Sequence, residues 1–206
     1  ADAIELNMFV LPSDFSRSAS DNQKIYHDII NQVSAEITIP IAAKVSYYFS
    51  DLGQALRRLS ETRIKGLVLF NRFYSPDFDI DKFELTSGHV LSNPSDLFLS
   101  LRWVAMMANR VECDISATTG VHSGEDLIKQ LLAGASTVQV ASALYRNGHQ
   151  YLQTMLTDLE KWMDKHNFSS IDEFRGKMAQ EKSTNPAAYE RAQFMKNFRQ
   201  YVRHHH

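Results

Sequence analysis

The stretch that decides the fold runs from Ile115 to Ala143 and reads ISATTGVHSGEDLIKQLLAGASTVQVASA. It begins with an apolar run, Ile115–Ala117, that ends in small residues. An amphipathic helix follows, and a second apolar run, Thr137–Val140, again ends in small residues. This pattern predicts a βαβ unit with a turn of small residues after each of its two strands.

Both turns have a composition that suits an anion. Thr119 and Gly120 close the first turn, and Ala141 and Ser142 close the second. In barrels of alternating strands and helices, the loops after the seventh and eighth strands bind phosphate through backbone N–H groups and a helix N-terminus. The alternative is an ordinary crossover whose small residues only make room for packing, because a short glycine pattern is a weak signal.

The rest of the chain continues this alternation. Apolar runs predict further strands at 3–7, 41–45 and 66–70, and helical periodicity predicts helices from about residue 21, through 52–59 and over 96–108. Short apolar strands separated by helices are typical of a parallel sheet buried on both faces. We therefore predict the α/β class, with residues 1–206 forming a single domain.

The C-terminal part departs from the alternation and predicts extra helices. Apolar spacing indicates one helix over 152–163, a short one over 169–178 and a third over 186–201. Ser170 and Glu173 have the spacing of a capping box for the short helix. Phe194, Met195 and Phe198 are expected to fill the core or an oligomer contact, so a homo-oligomer is expected.

Composition narrows the function classes. The formal net charge is −2 and the charged residues are interspersed, which does not favour nucleic acid or an anionic membrane as a partner. Neither a signal peptide nor a membrane-spanning run is evident, so a cytoplasmic location is expected. The single cysteine, Cys113, excludes an internal disulfide and is expected to be a small buried hydrophobe. The terminal triplet His204–His206 is interpreted as the remnant of a purification tag.

Polar residues follow the first three predicted strands. Asn7 ends the first, Lys44 lies near the end of the second, and Asn71 and Arg72 follow the third. Ligands bind at the carboxyl ends of parallel strands, so these side chains are candidates for ligand contacts. Lys44 either stabilises a heteroaromatic ring that gains negative charge or forms an ion pair with Glu5. The two asparagines either contact a planar ligand or satisfy loop backbone groups.

A long segment between Asn71 and the helix at 96–108 is predicted to be a functional loop. Gly88 in this segment would let the backbone approach a ring closely. His89 is a candidate acid or base, although a lone loop histidine is more often only solvated.

These residues together resemble the dihydroorotate dehydrogenases, which are FMN-dependent (β/α)8 barrels of pyrimidine synthesis. The similarity extends over nearly the whole chain and rests on the following segments: Glu5-Leu6-Asn7, Lys44, Asn71, Ser87-Gly88, Thr119-Gly120, Ala141-Ser142 and Asp172–Lys177. The resemblance implies the C-terminal portion, about five βα units, of a TIM-type barrel with extra C-terminal helices. It also implies FMN as the cofactor and hydride transfer from an orotate-like planar acid as the activity.

The resemblance also implies residue roles. Lys44 and the pair Ser87 and Gly88 correspond to flavin contacts, and the two turns of small residues correspond to the phosphate contacts of FMN. Asn7 and Asn71 correspond to substrate contacts, and Arg72 replaces a small residue beside Asn71.

The chain departs from the family pattern at two places. The Cys or Ser base that follows Glu-Leu-Asn in the family is absent, and Ser13 is the nearest hydroxyl that would serve as a catalytic base. Family members also have three strand-helix units before Glu5, so we expect the chain to be a fragment whose N-terminal half or another subunit completes the barrel.

Three functions follow from these observations. The first is an FMN-dependent oxidoreductase similar to dihydroorotate dehydrogenase. The second is a catalytically impaired barrel that binds flavin or another phosphate ligand. The third is a lyase or isomerase in which Lys44 forms a Schiff base.

Overall fold

The computed structural model describes residues 1–73 and 75–190 and has an α/β architecture. Five parallel strands form the main sheet in the order β1, β2, β3, β6, β7. The strands are β1 Ile4–Asn7, β2 Ile41–Val45, β3 Gly66–Leu69, β4 Pro76–Asp79, β5 Glu84–Ser87, β6 Asp114–Ala117 and β7 Thr137–Val138. The α-helices are α1 Ala19–Glu36, α2 Leu52–Ser60, α3 Leu97–Met107, α4 Gly124–Ala133, α5 Ser142–Asn147, α6 Tyr151–His166 and α7 Ala187–Glu190.

The two faces of the sheet have different side chains. On the face that packs against the helices, Ala43, Val45, Leu67, Leu69 and Ala117 are all fully buried. On the opposite face, the register aligns a row that runs from Asn7 and Lys44 through Val68 and Ser116 to Thr137. This second face corresponds to the interior of a barrel, so the predicted partial TIM-type barrel is confirmed.

Local hydrogen bonds determine where the helices begin and end. Ser18 caps α1 by accepting from the Asp21 backbone N–H, and Asp21 accepts from the Ser18 backbone in return, which forms a capping box. Ser123 caps α4 by the same contact with the Asp126 backbone. Gly134 ends α4 with a φ of 119°, where its missing Cβ leaves room for Ala108.

The segment predicted to be a long irregular loop contains an antiparallel hairpin. Strands β4 and β5 pair from Pro76 opposite Ser87 to Asp79 opposite Glu84, and nearly every residue of the hairpin is exposed. Neither strand has a buried face, so the apolar pattern that identifies core strands is missing. The hairpin closes at its base, where the Gly88 N–H donates to the Ser75 carbonyl at 3.1 Å.

The short helix predicted over 169–178 is not formed. Only Ile171–Glu173 makes a 3₁₀ turn, and the Ser170 side chain does not cap it; the Ser169 N–H donates to Glu173 instead. The physical reason is docking onto α4, because the N–H groups of Gly176 and Met178 donate to carbonyls at the end of that helix. The C-terminal helix predicted over 186–201 is described only as α7, and Phe194, Met195 and Phe198 lie outside the described residues.

Cys113 lies just before β6, partly buried against the core. Burial, with a smaller contribution from the Asp114 carboxylate, raises the pKa of the Cys113 thiol to about 11 from a usual value of 9.0. Because the reactive species is the thiolate, this difference lowers the thiolate fraction at pH 8 by about a hundredfold.

We therefore expect Cys113 to react about a hundredfold more slowly with a thiol reagent at pH 8 in the folded chain than in urea. The same difference makes the folded state bind more protons than the unfolded state above pH 9, so stability falls as the pH rises from 9 to 11. Stopped-flow absorbance with an aromatic disulfide measures the rate. Equal rates in the presence and absence of urea would contradict the burial of this thiol.

Within residues 1–73 and 75–190, the longer helices are too polar or too short to span a bilayer. The same described residues include no group of three or more His, Cys, Asp or Glu side chains arranged to hold a metal ion.

Candidate functional site

A cavity of about 330 Å³ lies at the carboxyl ends of the parallel strands. Its volume is at the lower end of the range for small-molecule sites. Eight of the candidate residues line it: Asn7, Lys44, Asn71, Arg72, Thr119, Gly120, Ala141 and Ser142. Seven further residues complete the lining: Phe9, Phe70, Val90, Ser92, Thr118, Val121 and Gln139. The ends of β1, β2, β3, β6 and β7 therefore contribute to one cavity, as expected for parallel strands that share an edge.

Lys44 has two partners in this cavity. Its Nζ donates to Gln139 Oε1 at 3.0 Å and lies 3.4 Å from Glu5 Oε1, and its side chain is 22% exposed. The ion pair with Glu5 is the structural alternative considered from the sequence, and it coexists with a place in the cavity wall. Both contacts direct Nζ at oxygen acceptors, whereas a Schiff-base nucleophile must present a free nitrogen lone pair to the substrate. This geometry suits an electrostatic role better than a covalent one.

Asn71 is buried and joins two strand ends. Its Nδ2 donates to the carbonyl of Met8 at 3.0 Å and to that of Lys44 at 3.2 Å. The backbone N–H of Asn71 also donates to Val45. The donor half of the side chain thus satisfies backbone groups, and the acceptor Oδ1 has no hydrogen-bond donor among the described residues. Asn7 also lines the cavity, from the exposed end of β1.

Arg72 holds the loop that follows the hairpin. Its guanidinium donates to the carbonyls of His89 at 2.6 Å and Val90 at 2.8 Å, and its Nε lies 3.3 Å from Asp96. Val90 lines the cavity, so these contacts fix one wall of the site. Arg72 therefore closes one side of the cavity, with its charge shared between a carboxylate and two carbonyls.

Gly120 is explained by packing. Its φ is +78°, and a Cβ there would lie 2.1 Å from the Leu97 backbone nitrogen. The turn before it also has a positive φ at Thr119, whose hydroxyl donates to the Phe70 carbonyl at 3.2 Å. The absence of a side chain at Gly120 allows α3 to begin directly against this turn. The packing alternative thus accounts for the glycine, while the turn still lines the cavity.

The second turn has partners that the sequence analysis missed. Ser92 is buried, and its N–H donates to Ser142 Oγ at 2.9 Å while its hydroxyl lies 3.0 Å from His122 Nε2. Arg146 donates to the Ser92 carbonyl at 3.1 Å. His122 lies two residues after Gly120, and Arg146 lies four residues after Ser142. Their closeness to the two turns is the only feature of the sequence that could have identified them. These contacts join the loop at Ser92 to both turns.

Four candidate residues do not line the cavity: Ser13, Ser87, Gly88 and His89. Ser13 is exposed in the loop after β1, where its N–H donates to the Leu11 carbonyl. Ser87 and Gly88 lie at the base of the hairpin, because the segment expected to approach a ring pairs with itself instead. His89 is exposed, and only its carbonyl takes part in the loop contacts.

A second cavity of about 260 Å³ adjoins the first and shares Phe70, Asn71, Arg72 and Thr119 with it. Tyr47 lines it, and a hydrogen bond with the Tyr48 hydroxyl, followed by burial, raises the pKa of Tyr47 to about 12. The Tyr47 phenol is therefore a weaker acid than an ordinary tyrosine and stays neutral at physiological pH. In the sequence, Tyr47 is distinguished only by its position two residues after β2.

A parallel α/β sheet with a polar cavity at its strand ends is typical of the (β/α) barrel class, in which ligands bind at that end of the strands. Residues 1–163 match the family model described as dihydroorotate dehydrogenase, and the chain belongs to this family. The recognition made from the strand-end residues is thereby confirmed.

Two of its relatives are named as dihydroorotate dehydrogenase B (NAD(+)), catalytic subunit. The one from Thermoplasma acidophilum is 27% identical over 179 residues, which cover 85% of this chain and 59% of the relative. The one from Methanothermobacter thermautotrophicus is 28% identical over 185 residues, 85% of this chain and 60% of the relative. The chloroplastic dihydropyrimidine dehydrogenase (NADP(+)) of Arabidopsis thaliana is 24% identical over 194 residues, 85% of this chain and 45% of that protein. The chain thus spans about half to three fifths of these relatives, all named as dehydrogenases.

Proposed function

We propose that this chain forms the part of an FMN-dependent oxidoreductase barrel that carries the cofactor cavity. The enzyme would transfer hydride between a small planar, orotate-like ring and the flavin. The observation that carries the proposal is the convergence of five strand ends on one cavity, with an ammonium, three side-chain amides and two small-residue turns in its wall. Both types of relatives that support it are named for dehydrogenation of pyrimidine rings.

The donor set in the cavity fits FMN. Phosphate needs backbone N–H groups, hydroxyls and positive charge, and the turns at Gly120 and Ser142 supply the first two, with Arg146 nearby. A flavin ring needs a cation near the part that becomes negative on reduction, and Lys44 is the ammonium in the wall. When bound, FMN supplies the electron pair acceptor or donor for hydride transfer.

The chain's own residues would bind the substrate and the flavin and orient them. Lys44 would stabilise negative charge that develops in the cavity, and its partners Glu5 and Gln139 limit its movement. Asn7 and the free Oδ1 of Asn71 would supply hydrogen-bonding groups for a planar ring with amide edges. Arg72 would act indirectly, by fixing the position of Val90 in the cavity wall.

A second candidate is a barrel that binds flavin or another phosphate ligand and has lost catalysis. The position of Ser13 favours it, because this hydroxyl is exposed and does not line the cavity. Proton removal from carbon needs a base within hydrogen-bond reach of the substrate. The two candidates share the cofactor site and differ in turnover.

Other features of the proposal concern the whole protein. We propose a role in pyrimidine biosynthesis, because the relatives named above are named for dihydroorotate and dihydropyrimidine dehydrogenation. A cytoplasmic location is part of the same proposal. We also propose that a second polypeptide segment, either another part of the same protein or another copy, completes the barrel.

FMN binding is tested by titrating FMN with the chain and measuring the quenching of flavin fluorescence. We expect binding by the unmodified chain and about a tenfold to hundredfold loss for Lys44→Met, because a hydrogen-bonded charge contributes about 1.5 to 3 kcal/mol. Lys24→Met is the matched control, since Lys24 forms an ion pair with Asp28 on the exposed face of α1. Unquenched fluorescence with the unmodified chain would contradict the proposal.

Turnover separates the two candidates. Dihydroorotate and dihydrouracil, each with a dye as electron acceptor, test an acidic and a neutral pyrimidine ring. Dye reduction with either compound supports the oxidoreductase, and bound FMN without dye reduction supports the binding protein.

A further inference from the structure

Gln139 connects the two edges of the main sheet. It follows β7, the last strand, whereas Glu5 lies on β1, the first strand in the sheet order. Nevertheless Gln139 Nε2 donates to Glu5 Oε2 at 2.6 Å, and Gln139 Oε1 accepts from Lys44 Nζ at 3.0 Å. The sheet therefore curves enough for one amide to reach side chains of β1 and β2.

The chemistry of the partners determines the orientation of this amide. An ammonium only donates and a carboxylate only accepts, so the oxygen of Gln139 must face Lys44 and its nitrogen must face Glu5. The reversed amide would place its nitrogen, a donor, against the ammonium and its oxygen, an acceptor, against the carboxylate. Both hydrogen bonds involve a charged group, which makes them stronger than bonds between neutral groups.

Gln139 also limits how Glu5 pairs with Lys44. One carboxylate oxygen, Oε2, is taken by the amide, and only Oε1 faces the ammonium, at 3.4 Å. Lys44 thus keeps its closer contact with a neutral acceptor, Gln139, in the wall of the cavity. The Lys44 ammonium therefore has its shortest contact with the neutral amide of Gln139 and a longer one with the Glu5 carboxylate.

We propose that Gln139 is a positioning residue, which fixes the Lys44 ammonium in the cavity by bridging it to Glu5. The inference rests on the proposed function only for the identity of the ligand that Lys44 faces. The position of the ammonium itself is a property of the chain and can be measured without FMN.

The test measures the acetylation rate of each lysine in the folded chain by peptide mass spectrometry, with acetic anhydride as the probe. A held ammonium reacts slowly, so Gln139→Leu is expected to raise the rate of Lys44 relative to Lys24 by about fivefold. Gln23→Leu is the matched control, because it removes an amide-to-carboxylate hydrogen bond, to Asp51, on an exposed surface. A Lys44 to Lys24 ratio equal in the unmodified chain and in Gln139→Leu would overturn the inference.

Two further variants distinguish positioning from a general loss of structure. Gln139→Glu cannot donate to Glu5, but it keeps an acceptor for the ammonium at the same reach and is expected to retain slow acetylation of Lys44. Gln139→Asn is one carbon shorter and is expected to behave like Gln139→Leu. Slow reaction of Cys113 in the same samples reports that the fold is intact. Equal Lys44 rates in the Glu and Leu variants would overturn the proposed bridge.

FMN affinity provides the functional readout. If the unmodified chain binds FMN, Gln139→Leu is expected to weaken binding about tenfold, and an unchanged affinity would overturn the link between the bridge and the ligand. If the unmodified chain binds no FMN, the proposed function fails, while the acetylation rates still decide whether Gln139 positions Lys44.

Discussion

Gly120→Ala is expected to destabilise the chain by about 2 to 5 kcal/mol. An alanine at a φ of +78° costs about 1 to 2 kcal/mol. The new Cβ would also lie 2.1 Å from the Leu97 nitrogen, and the backbone of α3 must move to relieve the clash, at about 1 to 3 kcal/mol. Urea unfolding followed by far-ultraviolet circular dichroism measures the difference.

Gly148→Ala separates the two contributions to this loss. Gly148 has a similar φ of +81°, and no heavy atom lies within 4 Å of the Cβ position there. Only the conformational cost remains, and because a ψ of 161° places Gly148 in a region essentially restricted to glycine, about 1 to 3 kcal/mol is expected. Equal losses for the two alanine variants would mean that α3 does not pack against the turn at Gly120.

Asn71→Asp is expected to destabilise the chain by about 3 to 5 kcal/mol at pH 7. The substitution removes a donor from two carbonyls, those of Met8 and Lys44, and places a carboxylate against their oxygens in a buried position. Burial and these oxygens would raise the pKa of the new carboxyl, so the folded state would bind more protons than the unfolded state. The loss should therefore shrink as the pH falls toward about 4.

Asn147→Asp is the matched control for this substitution. Asn147 also donates its amide to a carbonyl, that of Ala143 at 2.9 Å, but its side chain lies on the surface. We expect a loss below about 1 kcal/mol, because water solvates the new carboxylate. Chemical unfolding at pH 4 and pH 7 tests both variants, and an Asn71→Asp loss that is the same at both pH values would contradict the buried geometry.

The core strands were predictable because their pattern depends on local residues alone. Strand β2 was predicted with its observed bounds, and the prediction for β3, 66–70, was one residue longer than the observed strand. Parallel strands buried between layers are short apolar runs, and the residues at their ends must share an edge. For this reason Asn7, Lys44 and Asn71 were expected near one another, and the structure places all three in one cavity wall.

The remaining parts depend on contacts between distant residues. The bond between Gln139 and Glu5 joins positions 134 residues apart, and the contact of Ser92 with Ser142 joins positions 50 residues apart. No periodicity in the chain reports such contacts. Ser87 and Gly88 were expected at a ring and lie at a hairpin base, because exposed strands lack the buried face that reveals a strand in sequence.

The closed base of the β4–β5 hairpin separates the hairpin from the cavity and makes it a suitable place for engineering. The Gly88 to Ser75 hydrogen bond brings the two ends of the hairpin together, and Arg72 holds the next residues against the cavity. The twelve positions from Pro76 to Ser87 are thereby insulated from the cavity wall. Exposed segments of this kind tolerate insertions, so a peptide grafted between Pro76 and Ser87 is expected to leave both anchors in place.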